Sequence, residues 1–137
     1  MAKEVKARCE KDMVVRCEAD GHEYVLDHSD PKNPDKSLEG TSPGGALMVA
    51  LAGCKAMVVR MFLSARKIDA PIDIKISMDG DNASGKFAAH AKVEIHIDAE
   101  LSEKDRRLIE EFVDSKCAVE HIILGTENTI ETSYSFA

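Results

Sequence analysis

Four cysteines carry whatever redox or nucleophilic chemistry this chain has, and they fall into two kinds. Cys54 ends the apolar run that begins at Ala46, between Gly53 and Lys55, where a thiol by itself is a small hydrophobe with a raised pKa. Cys117 lies near the start of a short helical stretch that Ser115 could cap, where the partial positive charge of a helix N-terminus favours thiolate. Thiols on separate helices can bridge when their Cα atoms come within roughly 4.4 to 6.8 Å. A thiol pair brought together by folding is therefore the one chemical centre expected here. Cys9 and Cys17 alternate with Val5, Ala7, Val15 and Ala19 and are expected to fill a core. The spacings Cys9-x7-Cys17 and Cys117-x3-His121 do not assemble four close donors, so no metal site is expected. His90 and His96 share a polar strand face with Lys92, Glu94 and Asp98 and read as solvated. No phosphate-binding glycine loop and no Gly-x-Ser-x-Gly elbow occurs, and no cofactor is expected.

The elements that must position the two thiols can be read from periodicity. Residues 4–9 and 13–19 alternate around a polar Glu10-Lys11-Asp12, which predicts a hairpin, and His22 to His28 predicts a third strand. Ser29 to Pro43 has the composition of a long loop, and long loops in compact domains often border a site. Thr41 or Ser42 can cap a helix with Pro43 in its first turn, running to about Lys67. Between Ala46 and Cys54 this helix is apolar all round, so protein should surround it there, and Ala46, Ala50 and Gly53 form a small-residue packing seam. Ile72 to Asp79 alternates strictly, and after the turn residues Gly80 to Gly85 so does Phe87 to Ile97, which predicts a second hairpin with one wet face. Ser102 and Asp105 resemble a capping box ahead of the stripe Leu108, Ile109, Phe112 and Val113. A short helix from about Lys116 to Leu124 and a final strand through Ile130, Thr132, Tyr134 and Phe136 complete an α+β chain.

Composition narrows the function classes. A chain of 137 residues with 44% hydrophobic residues matches one domain with a substantial core. Its formal charge of −7, from 25 acidic and 18 basic residues, offers no basic stripe for a phosphate backbone. With no Trp, two Tyr and four Phe, a base-stacking surface is equally hard to build, so nucleic acid is not an expected partner. Lys55, Arg60 and Arg66 argue against a membrane span, and the charged start of the chain lacks the apolar stretch of a signal peptide. The expected location is cytoplasmic, where the cysteines would rest as thiols.

Two segments carry a family resemblance. Thr41-Ser42-Pro43-Gly44-Gly45-Ala46-Leu47-Met48-Val49-Ala50-Leu51-Ala52-Gly53-Cys54 resembles the central-helix motif of the OsmC/Ohr family, the osmotically inducible and organic-hydroperoxide-resistance proteins. Cys117-Ala118-Val119-Glu120-His121-Ile122-Ile123-Leu124 resembles the segment that carries the family's other thiol, with Ala118 where Pro is usual. The order of elements agrees as well, nearer the uncharacterised OsmC-like branch. The resemblance implies a single OsmC-like domain over 1–137, with antiparallel sheets around a long buried central helix, in an intertwined homodimer. It also implies thiol-dependent reduction of organic hydroperoxides or hydrogen peroxide. Cys54 would attack the O–O bond, Cys117 would resolve the sulfenic acid as a disulfide, and a dithiol reductant, often lipoyl-bearing, would restore both.

Active relatives place a Glu one or two positions after the motif's Pro to orient an Arg against the thiolate, whereas this chain has Gly44 and Gly45 there. Glu39 in the preceding loop is the candidate substitute, and Arg16 on the second strand is the candidate Arg. A dimer without peroxidase activity, holding a small apolar or thiol-bearing ligand in an interface pocket, is the alternative implied by the missing Glu.

Overall fold

Alternating sequence becomes paired strand wherever a partner of matching period follows closely. In the computed structural model, which describes residues 3–81, 88–131 and 133–135, β1 (Val5–Cys9), β2 (Val15–Ala19) and β3 (His22–Leu26) form an antiparallel sheet in that order. Asp20 and Gly21 join β2 to β3 with φ of 51° and 77°, the double positive φ that a two-residue hairpin turn needs to match strand twist. Ala7 faces Cys17 and Cys9 faces Val15 across the ladder. The expectation that Cys9 and Cys17 fill a core fails: every β1 residue is exposed and Cys17 is only half-buried. Three short strands leave most of the sheet wet, and the Cys9 thiol is taken up locally, donating to the Asp12 carbonyl at 3.5 Å.

The loop after β3 is built rather than loose. It returns to the sheet as a parallel bridge between Leu26 and Thr41, with Asp27 N–H donating to the Thr41 carbonyl at 3.0 Å. Gly40 is obligatory at that return, because a Cβ there would run into the Val25 carbonyl. The long helix α1 (Pro43–Ala65) follows. Ser42 starts it: its Oγ accepts the Gly45 N–H at 3.1 Å and its carbonyl accepts the Ala46 N–H at 2.8 Å. A side chain at Gly45 would collide with the Thr41 hydroxyl, whereas a Cβ at Gly44 meets nothing.

The chain forms two compact units, Met1–Val49 and Ala50–Ala137, and their boundary falls inside α1. In the second unit Leu51, Lys55, Val58, Val59, Phe62 and Leu63 form the buried stripe of α1. Val58, Val59, Phe62 and Leu63 pack with Ile109 and Val113 of α2 (Glu103–Lys116), and full burial of Val59 and Leu63 is worth about 1.5–3 kcal/mol each. The Phe62 and Phe112 rings lie 5.7 Å apart, and the Arg66 guanidinium covers Phe62 at 3.7 Å while pairing with Asp105 at 3.2 Å. Ser102 caps α2 as its sequence suggests, accepting the Asp105 N–H at 3.1 Å. By length and a mean hydropathy of 1.9, α1 could cross a membrane, yet Lys55 and Arg60 interrupt it and its buried face packs on α2. That is the character of a core helix.

Its apolar run is not covered as expected. Leu47 is 47% and Val49 67% exposed, and further along Met57 is 70% and Met61 60% exposed. Among the described residues nothing lies within 4 Å of a Cβ built at Gly53, in the small-residue seam. The described residues thus cover α1 mainly on its buried stripe.

The second hairpin follows its sequence closely. β4 (Ile72–Asp81) and β5 (Ala88–Ile97) pair Ile72 with Ile97, Ile74 with Ile95 and Ile76 with Val93 on one face. Asp73 with His96 and Lys75 with Glu94 alternate with these. The turn expected from Gly80 to Gly85, and Phe87 with it, falls largely outside the described residues. The short helix α3 (Ala118–Leu124) closes the order. The final strand does not form among the described residues: 130, 131 and 133–135 carry no ladder, and Thr132 and Phe136 lie outside them. A strand needs a neighbouring edge to form a ladder, and Ile130 is 93% exposed.

Candidate active site

Cys54 lies at the middle of α1, half-buried, and Cys117 is the single residue that joins α2 to α3, with no exposed surface. Cys117 ends one helix and begins the next because its N–H continues α2 to the Val113 carbonyl at 3.2 Å while its own carbonyl accepts the His121 N–H at 3.2 Å. Ser115 does not cap α3 as expected, since α2 runs on to Lys116 and the Ser115 hydroxyl turns back to donate to the Phe112 carbonyl at 3.1 Å. The fold brings Cys54 close enough to Cys117 to influence its ionisation. Both are free.

Cys117 is not the ready thiolate that its place at a helix start suggested. Burial pushes its pKa up, with the hydrogen bond and charge of Cys54 adding to the rise, and the Glu120 backbone N–H and the Lys55 charge oppose it without cancelling it. Beside the pair sits Lys55, whose side chain is 5% exposed and whose ammonium meets the Glu120 carboxylate at 3.2 Å. The sequence marked Lys55 only as a charge interrupting an apolar helix. Its position in the i, i+4, i+7 stripe of Leu51, Lys55, Val58 and Phe62 was the available signal that it points inward.

Arg16 and Glu39 also come together. Their side chains approach to 3.8 Å, with Glu23 at 3.9 Å from Arg16, and both are more than half exposed. This pair lies in the first compact unit and the thiol pair in the second. Glu39 is held from behind by a carboxylate the sequence did not reveal. Asp27 is 1% exposed and accepts the Lys36 ammonium at 2.6 Å, the His28 N–H at 2.7 Å and the Glu39 N–H at 3.0 Å. The Lys36 hydrogen bond above all, then the two backbone N–H groups, lower the Asp27 pKa from 3.8 to about 2.

A groove of about 770 Å³ opens alongside Lys55 and Glu120, floored by Val93, Ile95 and Ile97 of β5 and by Ile109 and Val113 of α2. Arg106, Glu110 and Asp114 add charge to it. Among the described residues no three of His, Cys, Asp and Glu converge as metal ligands would. The arrangement can perform thiol chemistry: a half-exposed sulfur next to a buried one, with a buried cation at hand.

The fold recurs in solved structures. The chain is similar in structure to an OsmC-like protein from Mycoplasma pneumoniae, at 19% identity and a TM-score of 0.71 over 92% of this chain and 89% of that one. A hypothetical protein from Aquifex aeolicus superposes at 16% identity and a TM-score of 0.70, over 93% and 91% of the two chains. The organic hydroperoxide resistance protein OhrB of Bacillus subtilis does so at 16% identity and 0.63, over 92% and 93%. Among curated proteins no sequence matches. The family model described as OsmC-like protein matches residues 34–133, a span that holds both Cys54 and Cys117, and the chain therefore belongs to the OsmC-like family.

Proposed function

We propose that this protein reduces organic hydroperoxides with its own thiol pair, Cys54 as nucleophile and Cys117 as resolver. What supports the reading is that Cys54 of α1 acts on the buried Cys117 at the α2–α3 junction, with the buried Lys55 ammonium acting on the same sulfur. The Cys54 thiolate attacks the outer peroxide oxygen; the O–O bond breaks, the alkoxide takes a proton and leaves as alcohol, and Cys54 becomes a sulfenic acid. Cys117 then attacks that sulfur, the S–O bond breaks, and the departing hydroxide leaves as water with the Cys117 proton. A dithiol, of which a lipoyl group is one form, reduces the disulfide by exchange and restores both thiols.

The raised pKa of Cys117 gives the two steps an order. While Cys54 is a thiolate, its charge and hydrogen bond help to keep Cys117 protonated. Oxidation of Cys54 to a neutral sulfenic acid removes that charge, so Cys117 ionises more readily once there is something to resolve. Arg16, held by Glu39 and Glu23, is the activating Arg in this reading, and Glu39 stands in for the carboxylate absent at Gly44 and Gly45.

The functional form in this reading is a homodimer in the cytoplasm. A second copy would cover Met57 and Met61 and fill the open seam at Gly53, and sedimentation should return twice the 15.0 kDa chain mass. A monomer at micromolar concentration would count against it.

Treating the reduced protein with one equivalent of cumene hydroperoxide and mapping its peptides without reduction tests the chemistry. The expected product is a Cys54–Cys117 crosslink that dithiothreitol reverses. Unconsumed peroxide, or crosslinks through Cys9 and Cys17 instead, would sink the reading.

A further inference from the structure

The peroxide chemistry above leaves Lys55 without a role, although its position is an expensive one for an ammonium. At 5% side-chain exposure it needs a partner, and Glu120 at 3.2 Å supplies one. An ammonium has three hydrogens, and among the described residues Glu120 is its one ion-pair partner. The Glu120 carboxylate is itself 32% exposed and borders the groove, so part of its charge is answered by water. The positive charge of Lys55 also reaches the Cys117 sulfur.

We propose that Lys55 is a positioning residue for the resolving step, its buried ammonium shared by Glu120 and Cys117 so that Cys117 can ionise and attack oxidised Cys54. The inference rests on the thiol-peroxide reading and deepens it. A fully buried thiol such as Cys117 has no water to accept the charge that develops on sulfur. A fixed cation inside the protein does so without reorganisation. Other groups facing this region are Cys54 on α1, Glu120 on α3, Arg106, Glu110 and Asp114 on α2, and His96 on β5. Cys54 and burial act against ionisation of Cys117, Lys55 acts for it, and Glu120 sets how much of the Lys55 charge remains available.

The test isolates Cys117 in a C9S/C17S/C54S background and follows its thiolate by ultraviolet absorbance against pH. K55M should move ionisation to higher pH, K55R should leave it near the parent, and E120Q should move it to lower pH. Opposite shifts from two substitutions in one ion pair are not produced by a general loosening, and E120Q carries the test should K55M fail to fold. In protein retaining Cys54 and Cys117, K55M should slow disulfide formation about tenfold near neutral pH while dimedone capture of the Cys54 sulfenic acid rises. Unchanged Cys117 titration in folded K55M and E120Q overturns the proposal. Shifts of the expected sign, with no sulfenic acid captured on Cys54 after peroxide, leave the charge assignment standing and remove the peroxide reading instead.

Discussion

Replacing Cys54 by Ser is expected to abolish hydroperoxide reduction, a loss of roughly a thousandfold or more, while replacing Cys117 by Ser changes the fate of the oxidised enzyme rather than the first step. A serine hydroxyl at position 54 cannot take up the oxygen that sulfur accepts, so Cys54→Ser should be silent in both single- and multiple-turnover assays with cumene hydroperoxide. Cys117→Ser should still consume about one equivalent, because Cys54 is half-exposed and needs no second thiol to become a sulfenic acid. Without the resolver, excess peroxide should carry Cys54 on to sulfinic acid, read as a mass increase on the peptide containing it. The buried surroundings of Cys117 sharpen the contrast, since it should resist alkylation in the native protein whereas Cys54 reacts. Equal peroxide consumption by wild type and Cys54→Ser would transfer the chemistry elsewhere, and equal over-oxidation of wild type and Cys117→Ser would deprive Cys117 of its role.

The framework around the thiols was legible because its signals are local. Strict alternation identified β4 and β5 and their paired faces, and Ser42, Pro43 and Ser102 marked the helix starts near where they occur. What escaped depends on neighbours that periodicity does not name. Ser115 looked like a cap until α2 proved to continue past it, and Cys117 looked like an activated thiol until burial outweighed the helix terminus. Lys55 was readable as an inward residue from its place in the buried stripe, but its partner Glu120 lies on another helix. The apolar run before Cys54 asks for covering protein, and among the described residues Leu47 and Val49 stay exposed.

Asp27 had no such signal, and it supports the second large expectation. Asp27→Asn should markedly lower the urea midpoint at neutral pH and flatten the acid limb of the stability curve. The folded carboxyl titrates at about 2 against an ordinary 3.8, so the folded state favours the ionised form. That contribution is fully present above the ordinary value and is lost as pH falls through the folded one. Asparagine keeps an acceptor for one of the two backbone N–H groups but cannot answer the Lys36 charge, which lies 15% exposed against it. Lys36→Met should approach the same midpoint, and the double substitution should cost less than the two losses combined, because each single change strands the other partner. The consequence reaches Glu39 through the backbone. Asp27 fixes the N–H of Glu39, and Glu39 in turn holds Arg16, so on the proposal that Arg16 activates the thiol, loosening the loop should reduce peroxide turnover even under conditions where the variant remains folded. A folded Asp27→Asn protein with full turnover would show that Arg16 and Glu39 do not serve the thiols. An acid limb identical to wild type would show that Asp27 is not the group whose protonation unfastens the loop.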